Sequence, residues 1–321
     1  MKNIRIVFMG TPEFAVATLG SLLINGYDVA CVVTAPDKPS GRGQKITRPA
    51  VGVYADSMSI PVLQPLSLKD PEFLDNLTRF NADVFVVVAF RMLPEAVWRI
   101  PSTGTINLHA SLLPQYRGAA PINHVIINGE TKTGVTTFLI DDRIDTGGIL
   151  LREEINIGPG ENAGELHDRL MKHGARLVIK TLQGIADRTL KPLPQSHFMI
   201  PGEELKPAPR IFPDDCFIDW DKDPASINNL IRGLSPYPGA RTWFSKGENN
   251  ILFKVFEAEA RQGIHDYAPG TLLSDGRNQL QVACKGGLVN ILTLQPEGKK
   301  AMTTPEFLRG IKTDDYNIKV S

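Results

Sequence analysis

The sequence predicts an α/β domain built on a mostly parallel sheet, followed by a smaller β-rich domain. Three observations carry this. Strand-like and helix-like segments alternate through the first two hundred residues, as βαβ units require. Residues 83–89 (Asp-Val-Phe-Val-Val-Val-Ala) are apolar after the first, the pattern of a strand buried on both faces in the middle of a parallel sheet. Beyond residue 214 the pattern becomes short strands separated by Gly, Asn and Pro turns.

The elements follow in order. Residues 4–9 read as a strand that ends in the Gly10-Thr-Pro turn. Apolar residues at helical spacing (Phe14, Val16, Ala17, Leu19, Leu22, Leu23) place a helix over 13–25, and 28–34 read as a second strand. Together these make a βαβ unit. Residues 134–140 form another β-branched strand, and Leu166, Leu170, Leu177, Ile179, Leu182 and Ile185 mark a helix within 161–188. Composition then shifts. Residues 190–213 hold Pro192, Pro194, Pro201, Pro207, Pro209 and Pro213, which fits an extended linker. A short helix is expected over 224–234, then strands over 242–244, 251–258, 270–273, 279–283 and 289–294. Their spacing fits a small barrel or a sandwich and does not choose between them. The expected domains are 1–189 and 214–321, joined by the 190–213 linker.

Composition narrows the function classes. A chain of 321 residues is comfortable for two domains, and 42% hydrophobic with 22% charged residues is ordinary for a soluble globular protein. Lys and Arg total 35, as do Asp and Glu, which argues against a strong nonspecific polyanion binder. A local basic patch remains: residues 36–50 carry Lys38, Arg42, Lys45 and Arg48 against Asp37. The three cysteines (Cys31, Cys216, Cys284) are far apart and form no CxxC, so no metal site and no disulfide framework is expected, and reduced thiols in a cytoplasmic protein are the simplest outcome. The apolar run at the N-terminus is ended by Gly10, Pro12 and Glu13, as a buried strand would be and a signal peptide would not. No run reaches membrane-spanning length, and no heptad seam is evident, so a monomer away from membranes is expected.

The chemistry concentrates in residues 105–121, Thr-Ile-Asn-Leu-His-Ala-Ser-Leu-Leu-Pro-Gln-Tyr-Arg-Gly-Ala-Ala-Pro. Asn107 and His109 stand two residues apart at the end of a β-like run, so an amide donor and an imidazole project from the same face. Further on, Ile-Asp-Asp-Arg-Ile-Asp-Thr-Gly-Gly offers the carboxylate of Asp145 in a glycine-ended loop. Amide, imidazole and carboxylate together can stabilise an oxyanion and move a proton. Taken alone, an Asn and a His at a strand end more often satisfy backbone groups, and an Asp before Gly is common in turns. The three acids of this loop (Asp141, Asp142, Asp145) lack the spacing of a calcium loop. Ser111 lacks the Gly-x-Ser-x-Gly elbow of a hydrolase nucleophile, and Gly10-Thr-Pro-Glu-Phe14 is not a G-x-G-x-x-G dinucleotide fingerprint.

The Asn-x-His-x-Ser-Leu-Leu-Pro run followed by Asp-x-x-x-Asp-Thr-Gly resembles the folate-dependent formyltransferases. Gly10–Phe14, Pro36–Lys45, Gly118–Pro121, Ile218–Trp220 and Leu294–Met302 resemble the branch of that family that formylates methionyl-tRNA, so the resemblance spans nearly the whole chain. It implies a Rossmann-like formyltransferase domain, an OB-like β-barrel after it, 10-formyltetrahydrofolate as co-substrate and methionyl initiator tRNA as partner. It implies that Asn107 and His109 bind the developing oxyanion, that His109 assists proton movement to the leaving nitrogen, and that Asp145 orients His109 and takes the proton of the attacking amine. It also implies a folate pocket walled by Phe90, Arg91 and Met92 and by Ser111, Leu112, Leu113 and Pro114, with Asp142 at its edge. Phe90-Arg-Met-Leu lacks a glycine common in the family at this point. The basic loop with Lys38, Arg42, Lys45 and Arg48 would meet the end of the acceptor stem, and Lys299 and Lys300 would add phosphate contacts. Two other readings remain open at this point: a sister formyltransferase acting on an amino sugar or another small amine, and an RNA-binding protein whose α/β domain has lost catalysis.

Overall fold

The computed structural model describes residues 4–40, 45–246, 249–310 and 317–319. In chain order the elements are β1 (Arg5–Gly10), α1 (Glu13–Ile24), β2 (Asp28–Val33), β3 (Lys38–Ser40), β4 (Lys45–Thr47), α2 (Ala50–Ser57), β5 (Val62–Leu63), α3 (Pro71–Thr78), β6 (Val84–Val88), α4 (Glu95–Trp98), β7 (Thr105–His109), α5 (Pro121–Ile127), β8 (Lys132–Leu139), β9 (Ile149–Asn156) and α6 (Ala163–Ala186). After two short 3-10 turns come α7 (Pro224–Gly233), β10 (Ala240–Lys246), β11 (Asn249–Gln262), β12 (Leu272–Ser274), β13 (Leu280–Cys284), β14 (Gly287–Pro296), β15 (Met302–Thr303), α8 (Thr304–Leu308) and β16 (Asn317–Lys319). The chain forms two compact units. One comprises residues 1–118, 133–156 and 167–207, and the other 119–132, 157–166 and 208–321.

The first unit is organised by a seven-stranded sheet in the order β5-β2-β1-β6-β7-β8-β9. The strands from β5 to β7 are parallel, and β8 is antiparallel to β7. The continuous apolar run at 83–89 is the central strand β6, whose five residues are all buried. Side chains of alternate residues serve opposite faces. Val7, Met9, Phe85 and Val87 pack with Phe73, Leu77 and Val97 from α3 and α4. Ile6, Phe8, Val84 and Val86, of the opposite parity, are equally buried, so the sheet is covered on both faces. Register places Met9 beside Val33, Gly10 beside Val88 and Val88 beside Leu108. The carboxyl ends of β1, β2, β6 and β7 therefore lie along one sheet edge, the usual location for ligands in such sheets. Asn107 and His109 end β7 there, and residues 89–94 leave β6 one strand away.

The second unit holds an antiparallel sheet in the order β12-β13-β14-β11-β10-β16, with β15 paired to β14. It forms an open half-barrel of OB-like kind, which decides between the two β architectures that strand spacing left open. Its core contains Trp220, Ile227, Ile231, Phe244, Phe253, Val282, Ile291 and Phe307, all 2% exposed or less. The Ile218-Asp-Trp motif proves to be a core feature: Trp220 is buried and its indole N–H donates to Thr242 Oγ1 at 3.1 Å. Asp223 caps α7 by accepting from the backbone N–H groups of Ala225 and Ser226.

Candidate active site

Asn107 and His109 share one face of β7, as their spacing predicts. Asn107 is half-buried, and among the described residues its side chain has no hydrogen-bond partner. His109 is 7% exposed. Its Nε2 lies 2.9 Å from the carbonyl oxygen of Tyr116. A carbonyl only accepts, so Nε2 carries a proton and donates it. The other ring nitrogen, Nδ1, faces Asp145 Oδ2 at 3.7 Å. That separation exceeds a direct hydrogen bond.

Asp145 comes from the loop between β8 and β9. Its Oδ2 accepts the backbone N–H of Gly118 at 3.0 Å, while Oδ1 accepts nothing from the described residues. Its backbone is left-handed (φ +54°), a conformation that Asp tolerates better than most residues. Asp141 shapes this loop by accepting from the Thr146 hydroxyl at 2.7 Å and the Arg143 N–H at 3.2 Å. Gly147 is required by space: a Cβ there would lie 1.7 Å from the Leu139 carbonyl oxygen. The sequence thus brings to one place a buried imidazole of fixed tautomer and, among the described residues, an amide without a partner and a carboxylate with one free oxygen.

The other predicted residues are placed as follows. Phe90, Arg91 and Met92 leave the end of β6 after Ala89, whose φ is +47°. Met92 is 76% exposed. The Arg91 guanidinium is anchored, donating to the carbonyls of Pro65 (2.5 Å) and Leu66 (3.1 Å) and lying over the Phe90 ring. Leu112 is partly exposed, whereas Ser111, Leu113 and Pro114 are buried. The Ser111 hydroxyl donates to Gln115 O, and its carbonyl accepts from Thr136, so the serine builds the turn that leads to Tyr116. Asp142 is exposed at the tip of the Asp145 loop. Lys38 is exposed on β3, which pairs with β4 in a short antiparallel ribbon. Arg42 and the side chain of Lys45 lie outside the described residues. Arg48 is engaged by Asp56 at 2.5 Å. Lys299 and Lys300 are exposed in the turn between β14 and β15. Among the described residues no group of three or more His, Cys, Asp and Glu is positioned to hold a metal ion, and no helix is long and apolar enough to cross a membrane.

Sequence reasoning missed three supports of the site. Tyr116 supplies the carbonyl that fixes His109; its own N–H is held by Lys206 O at 2.7 Å. Gln115 bonds the backbone of Glu204 and Lys206. Gln195 bonds the carbonyls of Asp145 and Gly147. Gln195, Glu204 and Lys206 all lie in the Pro-rich stretch, where prolines without periodicity hid any sign of packing.

Comparison with known proteins gives the family. Residues 2–182 match the model of the formyl transferase family, and residues 210–312 match the family's C-terminal domain. The chain belongs to the formyl transferase family. It is similar to the methionyl-tRNA formyltransferase of Flavobacterium johnsoniae, with 50% identity over 98% of both chains. It is also similar to that of Bacteroides fragilis, with 48% identity over 99% of this chain and 98% of the other. Among solved structures, the fold is shared with WlaRD, a sugar 3N-formyl transferase (TM-score 0.62, 20% identity, 94% of this chain and 100% of that one). It is shared as well with HypX from Aquifex aeolicus in complex with tetrahydrofolic acid (TM-score 0.63, 17% identity), where this chain covers 97% of itself but only 48% of HypX.

Proposed function

We propose that the protein transfers the formyl group of 10-formyltetrahydrofolate to the α-amino group of methionine esterified to initiator tRNA, giving N-formylmethionyl-tRNA and tetrahydrofolate. The observation that carries this reading is identity of 50% to a methionyl-tRNA formyltransferase over 98% of both chains. The sugar formyl transferase that shares the fold is 20% identical, which speaks for fold alone.

The folate donor supplies a formyl carbon already bonded to a nitrogen that can leave. The amine nitrogen bonds to that carbon, the bond to the folate nitrogen breaks, the amine loses a proton and the leaving nitrogen gains one. The chain's residues divide this work. The unpartnered Asn107 amide donates to the formyl oxygen as negative charge develops there. His109, with Nε2 committed to Tyr116, carries the mobile proton on Nδ1. Asp145 balances the imidazolium through Oδ2 and offers Oδ1 to the proton of the attacking amine. Low exposure strengthens each of these interactions. Phe90, Met92 and Leu112 offer apolar surface beside the strand ends for the folate ring, with Asp142 at the edge. We assign the acceptor-stem contacts to Lys38, Arg42, Lys45, Arg48, Lys299 and Lys300, as point charges for phosphates; Arg48 must exchange Asp56 for tRNA.

The test is a formyl-transfer assay with 10-formyltetrahydrofolate and methionyl initiator tRNA beside methionyl elongator tRNA and an amino-sugar nucleotide. Rapid formylation of the initiator alone is expected. Turnover of the sugar with silence on tRNA would overturn the substrate assignment.

A further inference from the structure

Gln195 stands fifty residues beyond the Asp145 loop, in the 3-10 turn that follows Pro194. It is 5% exposed. Its amide nitrogen donates to the Asp145 carbonyl at 2.8 Å and the Gly147 carbonyl at 3.0 Å. Its amide oxygen accepts from Arg117 Nε at 3.1 Å and Nη2 at 2.6 Å. Arg117 immediately precedes Gly118, whose N–H holds the Asp145 carboxylate. The two segments that position this carboxylate, its own loop and the 117–118 turn, are thus joined through one buried side chain from a third segment. All four hydrogen-bonding positions of the amide that these contacts use are filled by main chain or guanidinium, so Gln195 has no part left for chemistry of its own.

We propose that Gln195 is a positioning residue for formyl transfer: it fixes the left-handed Asp145 backbone against the Arg117–Gly118 turn, and so sets the separation of the carboxylate from His109. This rests on the formyl-transfer reading given above. A buried polar group with every partner satisfied gives a single arrangement, and loss of one partner strands several others. Carbonyls at Asp145 and Gly147 would lose their donor together, at the residue whose backbone is already in a sparsely populated region.

The test compares wild type with Gln195→Ala, Gln195→Met and Gln195→Glu. Met keeps the length of the side chain without hydrogen bonds, and decides the matter if the Ala variant does not fold. Glu keeps the acceptor toward Arg117 and removes the donor toward the two carbonyls. Steady-state formylation is measured with the donor and the charged tRNA varied separately, alongside thermal melting. The expected result is a kcat lowered about 100-fold in the Met and Glu variants, the size of loss that small misplacement of a reacting group produces, with both KM values within about threefold of wild type. A folded Met variant with wild-type kcat, or a Glu variant as active as wild type, would overturn the proposal. A loss of activity that only tracks the loss of folded protein would overturn it as well, because that is the signature of a merely structural residue. Inactivity of the wild type itself would overturn the formyl-transfer reading on which this proposal rests, whereas a result confined to the variants bears on Gln195 alone.

Discussion

At the residue scale the site is a set of commitments. His109 cannot use Nε2 for chemistry while Tyr116 O accepts its proton, so the neighbour that matters is the one facing Nδ1, which is Asp145. Asn107 is the reverse case, a half-buried amide left without a partner among the described residues. Its removal should leave the fold intact, since no bond to the described residues is lost, and should lower kcat by about 100-fold, as deletion of one oxyanion donor does. Steady-state kinetics on Asn107→Ala, with a melting curve to establish folding, checks this; kcat within threefold of wild type would remove the amide from the mechanism. Gly147 is constrained differently. With the Leu139 carbonyl 1.7 Å from any added Cβ, Gly147→Ala must move the backbone two residues from Asp145. Both activity and melting temperature should fall, and an unchanged melting temperature would contradict the contact. That Asn107 and His109 share a face was legible in their spacing, whereas the roles proposed for them and for Asp145 came from the resemblance of the surrounding motif. Gln195 and the carbonyl of Tyr116 were not legible, because a buried hydrogen bond between distant segments leaves no periodic trace.

Elements followed the sequence where burial imposes a period. The run at 83–89 became the buried centre of the sheet, and the leucine and isoleucine spacing of 161–188 became α6. Short elements escaped: α2, α3, α4, α5 and β5 are eight residues or fewer, too short for their apolar positions to establish a period. The edge strand β9 also went unseen, since Arg152, Glu153 and Glu154 break its apolar pattern. The Pro-rich stretch belongs partly to the first unit, as far as residue 207, and its function there is hydrogen bonding, to which composition is blind. In the second unit an aromatic cluster sits within a largely aliphatic core. Phe253 stacks on Phe244 with centroids 4.2 Å apart and meets Phe307 edge-on at 5.5 Å. It is 1% exposed, so Phe253→Ala should cost about 3–5 kcal/mol in urea unfolding. A cost below about 1 kcal/mol would mean that the half-barrel does not depend on this cluster.

For the whole molecule, the three cysteines predict how stability responds to alkali. Burial pushes the Cys31 thiol up to about 12 and the Cys284 thiol up to about 11, and raises Cys216 as well. In the unfolded chain these thiols ionise at ordinary values near 9. Above that pH the unfolded state loses protons that the folded state retains, so stability falls as pH rises from about 9 toward 11 and 12 and is unaffected by these groups below 9. Alanine at Cys31 should flatten that decline; an unaltered alkaline profile would contradict the assignment. The same burial keeps the thiols from alkylating agents until the chain opens.

We propose that Asp145, held by Gly118 and facing His109, takes part in formyl transfer to methionyl initiator tRNA. The most direct measurement is the single-turnover rate of Asp145→Asn with both substrates saturating. Asn fills the same space and can still accept the Gly118 N–H, while the negative charge is gone. The expected rate is lowered at least 100-fold in a protein that melts like wild type and still binds charged tRNA. A folded variant that transfers formyl at a rate within threefold of wild type would contradict it.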